Sequence, residues 1–208
     1  MPPVYDQLKL GACTANALVA CYECLTPNFM GSRLFLYYNE RLIENTIAQD
    51  CGTQIFDGVK ALETYGVCLE SEYPYVVSRF SVQPPQKCYT NALRHKVLKA
   101  LNVRADLTSL KTCLAAGYPM VVGIEIYTSF ETELVAKTGF VTMPCPKDSL
   151  LGGHAVCIVG YDDSRQIFIM RNSWGSSWGD NGHFYLPYVY LTNPTLTSDI
   201  WTLISDTN

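Results

Sequence analysis

Near Gly117 the chain changes its periodicity, and this change restricts the folds open to it. Ahead of that point the apolar residues recur at helical spacing. From Cys13 to about Leu25, the residues Ala15, Ala17, Leu18, Ala20 and Cys21 mark a small-residue helix that packs centrally. Ser32 stands as an N-cap before Leu34, Phe35, Tyr37, Tyr38 and Leu42. Ile55, Val59 and Leu62 are in phase for a third helix over about 54–65, with Gly66 as its stop. Tyr73-Pro74-Tyr75 and Pro84-Pro85 cannot continue a helix, so residues 70–85 read as an extended connection. A short helix then runs from Asp106, as N-cap, to Gly117. After it come β-rich runs at 120–126, 154–161, 166–172, 183–188 and 200–205, and Asp162-Asp163-Ser164-Arg165 can turn one strand into the next. Helices followed by strands predict an α+β protein. The expected layout is a mainly helical lobe, residues 1–96, and a mainly antiparallel, barrel-like β lobe, residues 97–208, with a cleft where they meet.

Composition narrows the function. Of 208 residues, 48% are hydrophobic and 16% charged, enough for a sizeable core. A net charge of -4 without a Lys/Arg cluster argues against a nucleic-acid partner. No apolar run approaches a membrane span, so no membrane partner is expected either, and the N-terminus lacks the layout of a signal peptide. The nine cysteines are an odd number, so at least one is unbridged within the chain. The one sequon, Asn193-Pro194-Thr195, is disqualified by its proline.

The residue that stands out for chemistry is Cys13. It follows Gly11-Ala12 and opens a helix, where the macrodipole favours an anion. A thiol is mostly protonated at neutral pH and needs a base beside it. Of three histidines, His95 in Arg94-His95-Lys96 reads as a solvated side chain and His183, at a strand start, as a packing or hydrogen-bonding residue. His154 differs, because Gly152-Gly153 precede it and Ala155-Val156-Cys157 follow, clearing space at the head of a buried strand. A lone histidine there is more often structural, but Asn172 ends the next strand of the same hairpin. Its amide oxygen can accept from one imidazole nitrogen and turn the other toward sulfur, and Trp174 can shield that bond from water.

With these residues in view, the chain resembles the papain family of cysteine peptidases. The blocks that carry the resemblance are Gly11-Ala12-Cys13, Gly153-His154-Ala155 and Asn172-Ser173-Trp174-Gly175, in that order, and the likeness extends through Tyr65-Gly66 and Tyr73-Pro74-Tyr75 to Trp178-Gly179. The resemblance implies one catalytic domain in which Cys13 is the nucleophile, His154 the general base and acid, and Asn172 the orienting amide. It implies that Gln7, which alone would read as a surface residue, donates to the oxyanion beside the Cys13 N–H. It further implies an extended peptide substrate, bound near Gly52, Ile55, Gly123, Gly153, Ala155 and Trp174, with an apolar preference in the second pocket. Read singly, Ile55 and Ala155 are equally well ordinary core residues. No cofactor or metal is called for: Cys21-Tyr22-Glu23-Cys24 has no second pair at zinc spacing and reads as core cysteines.

Three departures from the family pattern stand out. Leu10 occupies the place of a customary cysteine, so the disulfide expected there cannot form; Thr14 replaces an aromatic; and of a pair of substrate-binding glycines only Gly52 is present, followed by Thr53. Met1-Pro2-Pro3 leaves room for neither the family's propeptide nor its leading strand, so the chain reads as a trimmed form or as a member that does without. Leu10 and the lack of a usable sequon lean toward an intracellular setting. The expected function is a cysteine endopeptidase, monomeric, acting on protein or peptide and open to restraint by a propeptide or protein inhibitor. The alternatives are a silent peptide-binding homologue and an acyltransferase or peptide ligase using the same thioester.

Overall fold

The computed structural model describes residues 2–205. It divides into two compact units, one built on residues 7–101 with residues 203–205, the other on residues 3–6 and 102–202.

The first unit is helical. Its elements are α1 (Cys13–Leu25), α2 (Arg33–Ile43), α3 (Ile55–Thr64), a 3-10 turn (Val77–Arg79), α4 (Gln86–Ala92) and the strand β1 (Val97–Asn102). Helices α1, α2 and α3 pack on one another. Ala15, Ala17 and Ala20 let neighbours approach α1 closely, and it is buried from Thr14 to Glu23. Ser32 caps α2 as expected: its Oγ accepts from the Phe35 N–H at 3.1 Å, and its hydroxyl donates to the Tyr73 carbonyl, so the cap also anchors the extended connection. Pro84-Pro85 does not lead into more extended chain. Pro85 (φ -58°, ψ 149°) stands immediately before α4, where its missing N–H costs no helical bond. That seven-residue helix buries only Cys88 and Ala92, too few apolar positions to set up a readable period.

The second unit carries α5 (Leu107–Ala115), β2 (Met120–Tyr127), α6 (Glu133–Thr138), β3 (Leu150–Asp162), β4 (Ile167–Arg171), β5 (His183–Pro187), α7 (Tyr188–Leu191) and β6 (Thr197–Ser205). Asp106 caps α5 by accepting from the Ser109 N–H at 2.8 Å. Strands β6, β2, β3, β4 and β5 are neighbours in that order, all antiparallel, and β1 follows β6 at one edge. The sheet is therefore open between the edges β1 and β5 and does not close into a barrel. Alternate residues of β2 (Met120, Val122, Ile124, Ile126) meet Val156 and Ile158 of β3, Phe168 and Met170 of β4, and Phe184 and Leu186 of β5 in one apolar cluster. The β3–β4 turn is the one its composition predicted, with Asp162 Oδ1 accepting from the Ser164 N–H at 2.9 Å.

Gly66, just past α3, has φ +72°, and a Cβ there would fall 2.0 Å from the Ala92 carbonyl oxygen. Gly66→Ala should destabilise the protein by about 2 kcal/mol or more, since strain and a backbone clash add; chemical denaturation would show this as a lower midpoint with an unchanged slope.

Candidate active site

In the helical unit, Cys13 is the first residue of α1 and is half-buried. No acidic residue lies in the helix's first turn and Ala12 supplies no side-chain cap, so the helix-end N–H groups face no competing local carboxylate. The turn that carries Cys13 is held from both sides by the irregular segment 50–53. Before it, the Gly11 N–H donates to Asp50 Oδ1 at 2.9 Å, and Asp50 also accepts from the Tyr37 hydroxyl. A Cβ on Gly11 would sit 3.1 Å from the Gly52 nitrogen, which explains a glycine at that point. After it, Thr14 Oγ1 donates to the Thr53 carbonyl at 3.0 Å, and Thr53 Oγ1 donates to Glu40 Oε2 at 2.8 Å.

Both anchors of that segment come from one face of α2, Tyr37 and Glu40, three residues apart. Sequence reasoning did not find Tyr37, Glu40 or Asp50, because they reach Cys13 only through other residues. The signal that pointed to them was present in Thr14 and Thr53, two of the departures from the family pattern. Arg41, fully buried, organises the chain leading in, donating to the carbonyls of Ile47 at 2.7 Å, Gln49 and Phe80.

Gln7 is buried, not a surface side chain. Its Nε2 donates to the Leu10 carbonyl at 2.9 Å, and its own carbonyl accepts from the Tyr75 hydroxyl at 2.9 Å. Tyr75 is fixed in turn, its N–H donating to Glu70 at 2.8 Å and its ring lying under the Arg33 guanidinium at 4.1 Å. Arg33 pairs with Glu70 at 3.2 Å and donates to Asn16 Oδ1 of α1 at 3.3 Å. Gly52 (φ +74°) and Ile55, 5% exposed, belong to this unit, Ile55 opening α3.

In the sheet unit, His154 lies on β3 and is 6% exposed; Asn172 follows β4 and is 3% exposed. His154 Nε2 and Asn172 Oδ1 are 2.8 Å apart. The Ser173 N–H also donates to Asn172 Oδ1 at 2.8 Å, which fixes that atom as the carbonyl oxygen. An amide oxygen only accepts, so Nε2 carries the ring hydrogen and the neutral imidazole has its lone pair on Nδ1. Trp174 stacks on the imidazole with centroids 4.9 Å apart and is itself packed edge-on by Phe130 and Trp178. Gly123 and Ala155 are cross-strand partners on β2 and β3, and Gly153 is exposed on β3. The structure thus brings His154, Asn172 and Trp174 together in one unit and Gln7 and Cys13 together in the other.

The remaining histidines stay outside these groups. His95 is only partly solvated: its ring lies tilted against Phe29, with centroids 4.3 Å apart, and burial holds its pKa below the usual range. His183 is likewise lowered by burial. None of the nine cysteines forms a disulfide. Cys51 and Cys145 are exposed, whereas Cys68 and Cys88 are buried beside each other, and burial pushes both thiols upward. Among the described residues no three or more His, Cys, Asp or Glu side chains are grouped to hold a metal ion.

A sequence profile of the papain family cysteine proteases matches residues 1–192. An uncharacterized peptidase C1-like protein of Acanthamoeba polyphaga mimivirus is 43% identical over 94% of this chain and 68% of its own length. Cysteine proteinase 3 of Entamoeba histolytica is 28% identical over 89% of this chain, which spans 59% of that relative. Among solved structures, xylellain, a cysteine protease from Xylella fastidiosa, superposes with a TM-score of 0.90 at 40% identity, over 98% of this chain and 84% of xylellain.

Glu40 gives a test of the helical half. Burial raises its pKa to about 8, so between the usual carboxylate range and that value the unfolded chain releases a proton that the folded protein keeps. Stability from this group is complete at low pH and declines as pH rises toward 8. Glu40→Gln cannot ionise, so its melting temperature relative to the parent should gain a few degrees between pH 4 and pH 7, measured by calorimetry at both.

Proposed function

The chain belongs to the papain family of cysteine proteases, and from that premise we propose that it hydrolyses internal peptide bonds through a thioester on Cys13. His154 takes the thiol proton at Nδ1, and the sulfur attacks the scissile carbonyl carbon. The carbonyl oxygen gains negative charge, which the Cys13 N–H and the Gln7 side-chain amide meet as donors. Collapse of the adduct breaks the C–N bond, and the imidazolium gives its proton to the leaving amine. Water then attacks the thioester, His154 accepts its proton, and the acid product leaves with Cys13 restored as a thiol. Every proton in the cycle moves among these groups and water.

The observation that carries this reading is the His154–Asn172 pair. The Ser173 N–H orients the amide, the amide fixes the tautomer, and the tautomer puts the lone pair on the nitrogen that has to act as base. Gly123 and Ala155, small residues side by side on β2 and β3, support an extended substrate with an apolar side chain next to them.

Cleavage profiling on a peptide library tests the proposal. Cys13→Ala should abolish cleavage, and a peptide-like epoxide should label Cys13 ahead of exposed Cys51 and Cys145. Gln7→Ala should lower kcat by about 10²- to 10³-fold, the usual cost of one oxyanion donor. Cleavage that survives in Cys13→Ala, with several cysteines labelled equally, would overturn the assignment. An added amine that diverts most product into new amide would mark a transferase instead.

A further inference from the structure

The clamp behind Cys13 contains a group that the chemistry above does not use. Glu40 has no solvent exposure. One of its oxygens accepts from Thr53 Oγ1 at 2.8 Å, and the other, Oε1, has no hydrogen-bond partner among the described residues. Gly58 of α3 is packed so tightly against it that a Cβ would lie 2.6 Å from Oε1 and 2.3 Å from Leu18 of α1. The charged and titratable groups around the carboxyl are Cys13 from α1, Arg41 from its own helix and Glu44 just past the end of that helix; the loop contributes Thr53 and α3 contributes Gly58. No cation is hydrogen-bonded to it: Arg41 spends its donors on the carbonyls of Tyr37, Ile47, Gln49 and Phe80. A buried carboxylate with one hydrogen bond is far more costly than the same carboxyl with its proton.

We propose that Glu40 is a positioning residue for Cys13: as an uncharged carboxyl it anchors Thr53, which holds Thr14 and so the turn that bears the nucleophile, while keeping negative charge away from the thiolate. The inference rests on the reading of Cys13 as the nucleophile. It also accounts for two departures from the family pattern together, since Thr14 and Thr53 are the two residues that link Glu40 to the nucleophile turn. The electrostatic half is reciprocal. A thiolate at Cys13 helps keep Glu40 protonated, and an ionised Glu40 disfavours the thiolate by the same interaction. Burial raises the Glu40 pKa to about 8, so at neutral pH the positioning group is mainly in its uncharged form.

The experiment is the rate of Cys13 modification by iodoacetamide, a neutral reagent, read by peptide mass spectrometry from pH 6 to pH 9.5. Glu40→Ala should slow it by about tenfold at pH 6.5, because the turn loses its anchor, and kcat on a peptide should fall in parallel. Glu40→Gln, which keeps the acceptor for Thr53, should recover most of that rate. The ratio of the Gln variant's rate to the parent's should then climb above about pH 8, where only the parent acquires a charge. Thr14→Val breaks the relay at its other end and should match Glu40→Ala in direction, with rescue by Thr14→Ser. If Glu40→Ala fails to fold, Thr14→Val decides the positioning and Glu40→Gln decides the charge. Parental rates in Thr14→Val, or a Gln-to-parent ratio flat across the whole pH range, would overturn the proposal. Cleavage retained in Cys13→Ala would instead overturn the nucleophile assignment, a separate failure seen in a separate variant.

Discussion

A nucleophile at the first residue of a helix has few regular hydrogen bonds holding it: the turn before it is closed by the Leu10 N–H donating to the Gln7 carbonyl at 3.3 Å, and the helical ladder starts with the Asn16 N–H donating to the Ala12 carbonyl at 3.0 Å. In this protein the restraint comes from the side. Segment 50–53 bonds to the turn at Gly11 and Thr14, on either side of Cys13, and α2 bonds to that segment at Asp50 and Thr53. The three parts stand or fall together, because each hydrogen bond has as its partner a group that another part immobilises. The buried Arg41 extends the arrangement backwards by fixing the chain at 47–49, without which Asp50 would lie at the end of a loose loop. Removing the Thr53 hydroxyl leaves the buried Glu40 carboxyl without its partner, the expensive way to break such a network, whereas the Asp50 end is exposed and water can replace what is lost there.

The sheet unit solves a different problem, the direction of an imidazole. Here regular structure does most of the positioning. Antiparallel register opposes Cys157 to Arg171, so the residue following β4 lies close to the start of the buried part of β3. Asn172 and His154 are therefore neighbours because of strand pairing, and the Ser173 N–H removes the remaining freedom of the amide. Trp174 adds an apolar cover, and its edge-on contacts with Phe130 and Trp178 connect that cover to the core of the unit. A hydrogen bond shielded in this way loses less to competition with water.

How much of this is legible in the sequence follows from the range of the interactions. Helix α1, the Ser32 and Asp106 caps, the Gly66 stop and the β3–β4 turn are local events, set by residues within a few positions, and each is found where its residues place it. His154 and Asn172 could be paired in advance because a hairpin has only one register that keeps its apolar face inward. Helix α4 and the edge strand β1 escaped because neither has a face: α4 buries two side chains, and β1 alternates poorly, with Leu98 and Leu101 exposed. Glu40 was invisible for a deeper reason. In the sequence it stands in Asn39-Glu40-Arg41, an ordinary polar stretch of an amphipathic helix, and nothing local says that this face turns inward. Only the pairing of Thr14 with Thr53, across 39 positions, gives it a task.

The departures at Leu10, Thr14 and Thr53 then belong to one physical account. With Leu10 buried in place of a cysteine, no covalent link ties the nucleophile's turn down at that point, and Leu10 instead contributes a carbonyl that holds the Gln7 amide. The restraint on the turn has passed to hydrogen bonds from Asp50 and Thr53. A disulfide responds to the redox poise of its surroundings and is indifferent to moderate changes of pH. A relay that ends in a buried carboxyl responds to pH and is indifferent to redox poise, because its weak point is the proton on Glu40. Exchanging one restraint for the other makes the setting of the nucleophile depend on a different property of the medium.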